Sequence, residues 1–237
     1  MVMSIVRTAL QGVVSPLQGR PRGAVIGQIA EPDPDPVVLV HGFLDYADAP
    51  WWMRMEKMLM SAGWPEDRVR GVTDPQMFGM SVGSPISSAG QIQAQLESTH
   101  DDYGQPVNII AHSMGGLKAR WVIEHGDGAE YVNDLVTIGT PHQGTYTAYG
   151  ALLTPGGRDM LPESPFISNL NGGGLAPSVR YTSVWSSADS LVLPQSNGAI
   201  PKSIIAENTK NINCGWKEHV SMVRDPEVLK LYTDRLV

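Results

Sequence analysis

The stretch Ala111-His112-Ser113-Met114-Gly115-Gly116 constrains this chain more than any other, because it sets a serine between a short apolar run at 107–111 and a helix-like segment from Met114 onward. Where a strand turns sharply into a helix, the intervening residue is strained, and the side chains two positions to either side must be very small to avoid neighbouring backbone. Ala111 and Gly115 meet that requirement; glycine is usual at both flanks, and Ala111 departs from it by one methyl group. Such a turn presents its hydroxyl at the C-terminal end of a strand, so Ser113 is the candidate nucleophile. Without that strand and helix it would read as a buried or helix-capping serine.

Strand-like apolar runs bounded by turn residues recur at 37–40, 69–72, 107–111, 135–139 and 180–185, and in part at 204–212. Helix-like stretches lie between them. The one at 51–62 is opened by Pro50 and closed by Gly63, that at 89–103 is closed by Gly104, and that at 114–125 by Gly126. A C-terminal helix is expected over 226–235. Strands and helices alternating at this length imply an α/β fold with a mostly parallel central sheet covered by helices on both faces. Ligands bind such sheets at the C-terminal strand ends, where Ser113 would stand.

With 237 residues, 42% of them hydrophobic, the chain can bury one full core, and two independent domains would be cramped. The tract Glu31-Pro32-Asp33-Pro34-Asp35-Pro36 is a stiff, extended lead-in. The expected organisation is therefore a lead-in over 1–35 and a single domain over 36–237. Only 17% of residues are charged and the net charge is −7, which argues against a phosphate-binding surface and so against nucleic acid as a partner. Cys214 is the sole cysteine, so no intramolecular disulfide can form and multi-cysteine zinc sites are excluded. No apolar run approaches the roughly 20 residues of a transmembrane span. Residues 1–14 are mildly apolar but interrupted by Arg7 and Gln11, a poor signal peptide. These features fit a cytoplasmic protein and a secreted one without its leader equally well.

Segment 143–177 carries many glycines and prolines and scattered Tyr, Leu, Met and Phe without a sustained period. It reads as an active-site lid or as an ordinary long crossover with one short helix. As a lid, Met160, Leu161, Phe166 and Ile167 would form its apolar inner face.

A serine hydroxyl is too weakly acidic to attack a carbonyl unaided; a histidine must take its proton and an acid must orient that histidine. After a nucleophile elbow the acid comes next in the chain and the histidine last, both on loops following later strands. Asp189, shortly after the run at 180–185, is the candidate acid, with Asp159 and Glu163 as rivals only if the irregular segment folds inward. His219, between the last strand and the final helix, is the candidate base. His100 would be solvated, His125 would cap a helix C-terminus, His112 would point away from the site, His41 comes too early, and His142 lies one strand too soon. The negative oxygen that develops during acyl transfer needs two backbone N–H donors. Met114 supplies one and Phe43, after Val40-His41-Gly42, the other.

These residues resemble the lipases and esterases of the α/β-hydrolase superfamily, particularly the compact bacterial lipases. The segment 36–42 looks like their first strand and oxyanion loop, the elbow is similar to the alanine variant of small lipases, and Ile138-Gly139-Thr140-Pro141-His142-Gln143-Gly144 resembles a strand end and turn found there. The resemblance implies roles for Ser113, Asp189 and His219 as nucleophile, acid and base, and for Phe43 and Met114 as oxyanion donors. Leu44 and Asp45 stand where the family often has glycines, and the lead-in is longer than in the smallest members. The expected activity is hydrolysis of lipid-like acyl esters through an acyl-enzyme, with no metal or organic cofactor and with a lipid interface as a possible partner. A thioesterase or acyltransferase would use the same triad, and a non-catalytic binding protein could share the fold. Trp51, Trp52, Met53, Met77 and Phe78 could line an acyl pocket, although Trp and Met at helical spacing more often belong to a core.

Overall fold

Five strands form where the apolar runs predict them in the computed structural model, which describes residues 33–72 and 80–236, and the sixth forms over the largely polar 209–213 rather than over the apolar residues that begin at 204. The lead-in up to residue 32, and Met77 and Phe78, lie outside the described residues. Asp33–Val237 clusters as one compact unit. In chain order its strands and α-helices are β1 (Val37–Val40), α1 (Pro50–Ser61), β2 (Val69–Gly71), α2 (Ala89–Tyr103), β3 (Val107–His112), α3 (Met114–His125), β4 (Val132–Ile138), α4 (Pro155–Asp159), α5 (Pro165–Gly172), β5 (Arg180–Trp185), β6 (Thr209–Asn213) and α6 (Pro226–Leu229).

The strands form one sheet in the order β2-β1-β3-β4-β5-β6. Every pairing in it is parallel. The order runs outward from β1 and β3 in both directions, and their shared C-terminal edge is a topological switch point, where a crevice opens between diverging loops. Val40 pairs with Ala111, so the loop after β1 and the turn after β3 leave the sheet side by side.

Side chains alternate between two faces, as a pleated strand requires. Val37, Leu39, Ile110, Val136 and Val184 pack with Trp52, Met55 and Leu59 of α1 and with Met222, Val228 and Tyr232 of the C-terminal segment. Val38, Val40, Ile109, Ala111 and Leu135 pack on the other face with Ile92 and Leu96 of α2 and Ala119, Val122 and Ile123 of α3. Helix α3 is central enough to bury even Lys118 and Arg120. Among the described residues no helix is long and apolar enough to cross a membrane.

Two expectations are corrected. The C-terminal helix stops at Leu229 and is followed by a 3-10 turn at Thr233–Arg235. The Thr233 hydroxyl takes the Leu229 carbonyl (2.7 Å) that a continuing helix would use, while Tyr232 and Leu236 turn into the core. The irregular segment contains a 3-10 turn at Tyr146–Ala151 and two helices, α4 and α5, rather than one. Thr154 and Ser164 cap these helices, and a proline follows each at the first helical position. Phe166 and Ile167 pack on Met114 and Leu117 of α3. Of the four residues expected on an inner lid face, Met160 is the one that reaches the cavity described below.

Candidate active site

Ser113 joins β3 to α3 with φ 55° and ψ −131°, a region that a non-glycine residue occupies only under strain of about 1–3 kcal/mol. Its N–H donates to the Ile138 carbonyl at 2.9 Å, which pins the turn to the end of β4. Close packing explains the small residues around it: a Cβ on Gly115 would meet the Val40 carbonyl, and one on Gly116 would meet the Thr140 hydroxyl. Ala111 is fully buried.

Asp189 and His219 come together from the loops after β5 and β6. His219 Nδ1 lies 2.8 Å from Asp189 Oδ2 and 3.0 Å from Oδ1. Asp189 Oδ1 also accepts the N–H groups of Leu191 (2.8 Å) and Val192 (2.9 Å), which hold the carboxylate in place. Both side chains are buried. With Nδ1 engaged, Nε2 is the nitrogen left for the cavity that His219 and Ser113 both line. No hydrogen bond joins Ser113 Oγ to the His219 ring among the described residues, as is common before substrate tightens such contacts.

Two further residues of this pair escaped sequence reasoning. Ser186 Oγ donates toward the carbonyls of Gly215 (2.9 Å) and Lys217 (2.7 Å) and accepts from the N–H of Ala188 (3.1 Å) and Lys217 (2.9 Å), lacing the loop of Asp189 to the loop of His219. Gly139, at φ 57° just after β4, leaves room for the pair: a Cβ there would lie 3.1 Å from His219 Nδ1 and 3.2 Å from Asp189 Oδ2. The positive φ falls on a glycine inside Ile138-Gly139-Thr140-Pro141, but only the fold shows what the glycine faces.

The rival acids stand elsewhere. Asp159 ends α4, where its carbonyl accepts the Ser164 hydroxyl (2.6 Å), and Glu163 is exposed. The remaining histidines have structural partners. His125 stacks on Trp121 with ring centroids 4.2 Å apart. His100 is half-buried rather than solvated, its Nδ1 2.9 Å from the Gln105 carbonyl oxygen. His142 is buried with Nε2 2.9 Å from Thr137 Oγ1, and burial followed by the Arg120 charge holds its pKa well below the ordinary value. His112 does not point away from the site; its ring lies 4.6 Å from that of His219.

The loop after β1 passes directly over the elbow. A Cβ on Gly42 would lie 2.8 Å from Ser113 Cβ and 3.3 Å from Ser113 Oγ, so only glycine permits this approach. Phe43 follows it and lines the cavity, while Met114 opens α3, where first-turn N–H groups lack helical acceptors. Lys118 Nζ, from α3, donates to the His41 carbonyl (3.2 Å) and to Ser81 Oγ (2.9 Å), and the Leu44 N–H donates to the Ser81 carbonyl (2.7 Å). These contacts fix the loop despite the absence of the glycines often found after Phe43.

The cavity over Ser113 is about 400 Å³. Its apolar walls include Phe43, Leu44, Trp51, Ala148, Met160 and Val192. Trp51 therefore lines the cavity, Trp52 belongs to the core, and Met53 is half exposed on the surface. Exposed Tyr146, Tyr149, Leu152 and Leu153 lie in the same segment as the cavity-lining Ala148 and Ala151.

A family model of palmitoyl protein thioesterases matches residues 36–196, from the entry to β1 to just past Asp189. Triacylglycerol lipase 2 of Saccharomyces cerevisiae (strain ATCC 204508 / S288c) is 31% identical over 102 residues, which cover 41% of this chain and 29% of that protein. Lipase B of Aspergillus fumigatus superposes with a TM-score of 0.73 at 22% identity, over 86% of this chain and 52% of its own. A Bacillus licheniformis lipase in mature form gives 0.69 at 16% identity, over 87% and 94%. The chain thus spans under a third of the yeast relative and about half of the Aspergillus one.

Proposed function

We propose, because this chain belongs to the palmitoyl protein thioesterase family and has the α/β-hydrolase fold of lipases and esterases, that it is a serine hydrolase cleaving acyl esters of lipid-like substrates through an acyl-enzyme. The observation that carries this reading is a strained Ser113 opening into the same apolar cavity as the ring of an Asp189-oriented His219. In the first half-reaction His219 Nε2 takes the Ser113 proton as Oγ attacks the substrate carbonyl, and the carbonyl oxygen becomes negative. The N–H groups of Phe43 and Met114 receive that oxygen, each worth about 3–4 kcal/mol in the transition state. Asp189 stabilises the His219 imidazolium without taking its proton. His219 then protonates the leaving alcohol, the acyl group stays on Ser113, and water repeats the sequence to release the acid.

The family match favours a second reading, in which the leaving group is a thiol. The nucleophile, base and oxyanion donors act identically, and only the atom that His219 protonates changes. A p-nitrophenyl ester and a thioester with the same acyl chain, assayed side by side, separate the readings by their kcat/KM ratio. A fluorophosphonate that labels the wild type and not Ser113→Ala supports both. Labelling that survives in the variant refutes the nucleophile assignment.

The reading also takes 143–177 as a partial cover over the cavity of the single domain at 36–237. Thr145, Ala148, Ala151 and Met160 contribute to the cavity wall, and the outer residues Leu152 and Leu153 present apolar surface to a substrate aggregate.

A further inference from the structure

We propose that His112, the residue before the nucleophile, is a positioning residue for His219, and that Asp45 acts through Trp52 to set His112 in place. His112 Nε2 lies 3.2 Å from the His219 carbonyl oxygen, and the two rings meet with centroids 4.6 Å apart at 46°. A carbonyl only accepts, so Nε2 carries the proton and Nδ1 does not. The Nδ1 atom is buried without a hydrogen-bond partner. Full burial, and then the neighbouring His219, push the His112 pKa well below the ordinary value, which keeps the ring neutral. Trp52 also packs against the His112 ring, with ring centroids 6.3 Å apart in an edge-on arrangement. The indole Nε1–H of Trp52 donates to Asp45 Oδ2 at 3.0 Å. The same oxygen accepts from Trp51 Nε1 (3.3 Å), and Oδ1 accepts from the Tyr46 N–H (2.8 Å).

The brace has a catalytic consequence if Ser113 and His219 act as read above. Asp189 grips one edge of the His219 ring, and a ring held at one edge can still tilt. His112 holds the His219 backbone and packs against the ring, which removes that freedom. Its neutrality matters as well, since His219 becomes cationic during the reaction and a second cation at this separation would oppose it. Asp45 lies two residues after Phe43, so one connected set of side chains links the oxyanion loop to the base.

His112→Leu removes the donor, whereas His112→Gln places an amide N–H at a comparable reach and should restore it. With a short soluble p-nitrophenyl ester, the Leu variant should lose about 10- to 100-fold in kcat with KM within about twofold, the scale seen when an orienting partner of a catalytic group is removed. The Gln variant should stay within about threefold of wild type, and Trp52→Phe, which removes the indole N–H and shrinks the bicyclic ring to one six-membered ring, should lose kcat without a change in KM. The downfield proton resonance of the His219–Asp189 bond should be sharp in wild type and His112→Gln and broadened in His112→Leu. A Leu variant with wild-type kcat and an unchanged resonance overturns the proposal, as does a Gln variant no better than Leu in both readouts. Should His112→Leu fail to fold, Trp52→Phe decides: unchanged kcat and resonance there refute the brace. The resonance requires no substrate, so a wild type inactive on every ester and thioester would defeat the hydrolase reading and leave the brace testable.

Discussion

Gly139→Ala isolates the structural demand that the Asp189–His219 pair places on the end of β4. The substitution has two separable costs. At φ 57° any side chain is disfavoured, by about 1–2 kcal/mol for an L-residue in the left-handed region. In a domain of this size that should lower Tm by roughly 2–8 °C. The second cost is local: the new methyl would lie 2.9 Å from Met222 Cε, 3.1 Å from His219 Nδ1 and 3.2 Å from Asp189 Oδ2. The methionine end can swing aside, but His219 and Asp189 must each give by a few tenths of an ångström, and misplacement on that scale should lower kcat about tenfold, given that about 1 Å costs 10²-fold. Gly104→Ala is the matched control, because Gly104 caps α2 at φ 62° with no heavy atom within 4 Å of the added Cβ. Gly139→Ala should lose at least as much Tm in calorimetry as Gly104→Ala, and only Gly139→Ala should lose turnover on a soluble ester. If the two variants have equal kcat, Gly139 does not crowd the pair and the reasoning fails.

Ser113→Ala should abolish ester hydrolysis by about 10⁴-fold or more while Tm holds, measured by burst-free steady-state kinetics against the wild type. Asp189→Asn should cost about 10⁴-fold in kcat, through a misoriented His219 tautomer, while Asp159→Asn leaves kcat unchanged; the reverse pattern would transfer the acid role to Asp159. Buried His142 has its pKa held below the ordinary value, so the unfolded chain takes up a proton that the folded one refuses. Stability is therefore present above about pH 6.5 and falls with pH below it, by at most about 1.4 kcal/mol per pH unit for one such histidine. Urea midpoints for His142→Asn should show a shallower acid slope than wild type, and parallel slopes would count against a neutral His142. Replacing Leu152 and Leu153 by Ser should reduce turnover of an emulsified ester while sparing the same ester below its solubility limit; equal loss in both states would remove 143–177 from the mechanism.

Much of this protein was legible in local sequence pattern. Apolar runs mark five of the strands, of three to seven residues each, and helix-length segments closed by Gly63, Gly104 and Gly126 mark helices, because periodicity and capping act over a few residues. The parallel sheet follows from their alternation, and the elbow from small residues that close packing demands at fixed offsets from Ser113. The helices of 143–177 carried signals as well, in Thr154-Pro155 and Ser164-Pro165, but the surrounding glycines masked them. The tertiary structure decided what the remaining side chains face. His112 and His219 stand 107 positions apart, and no local pattern announces that one carries the other's backbone. Trp51 and Trp52 are neighbours of the same type, yet one lines the cavity and the other joins the core, because a helix turns about 100° per residue and only the packed sheet defines which side is inside. Gly139 is read as a turn from the chain alone; that its missing Cβ is where Asp189 and His219 meet depends on β4, β5 and β6 ending side by side, a relation set by long-range strand pairing.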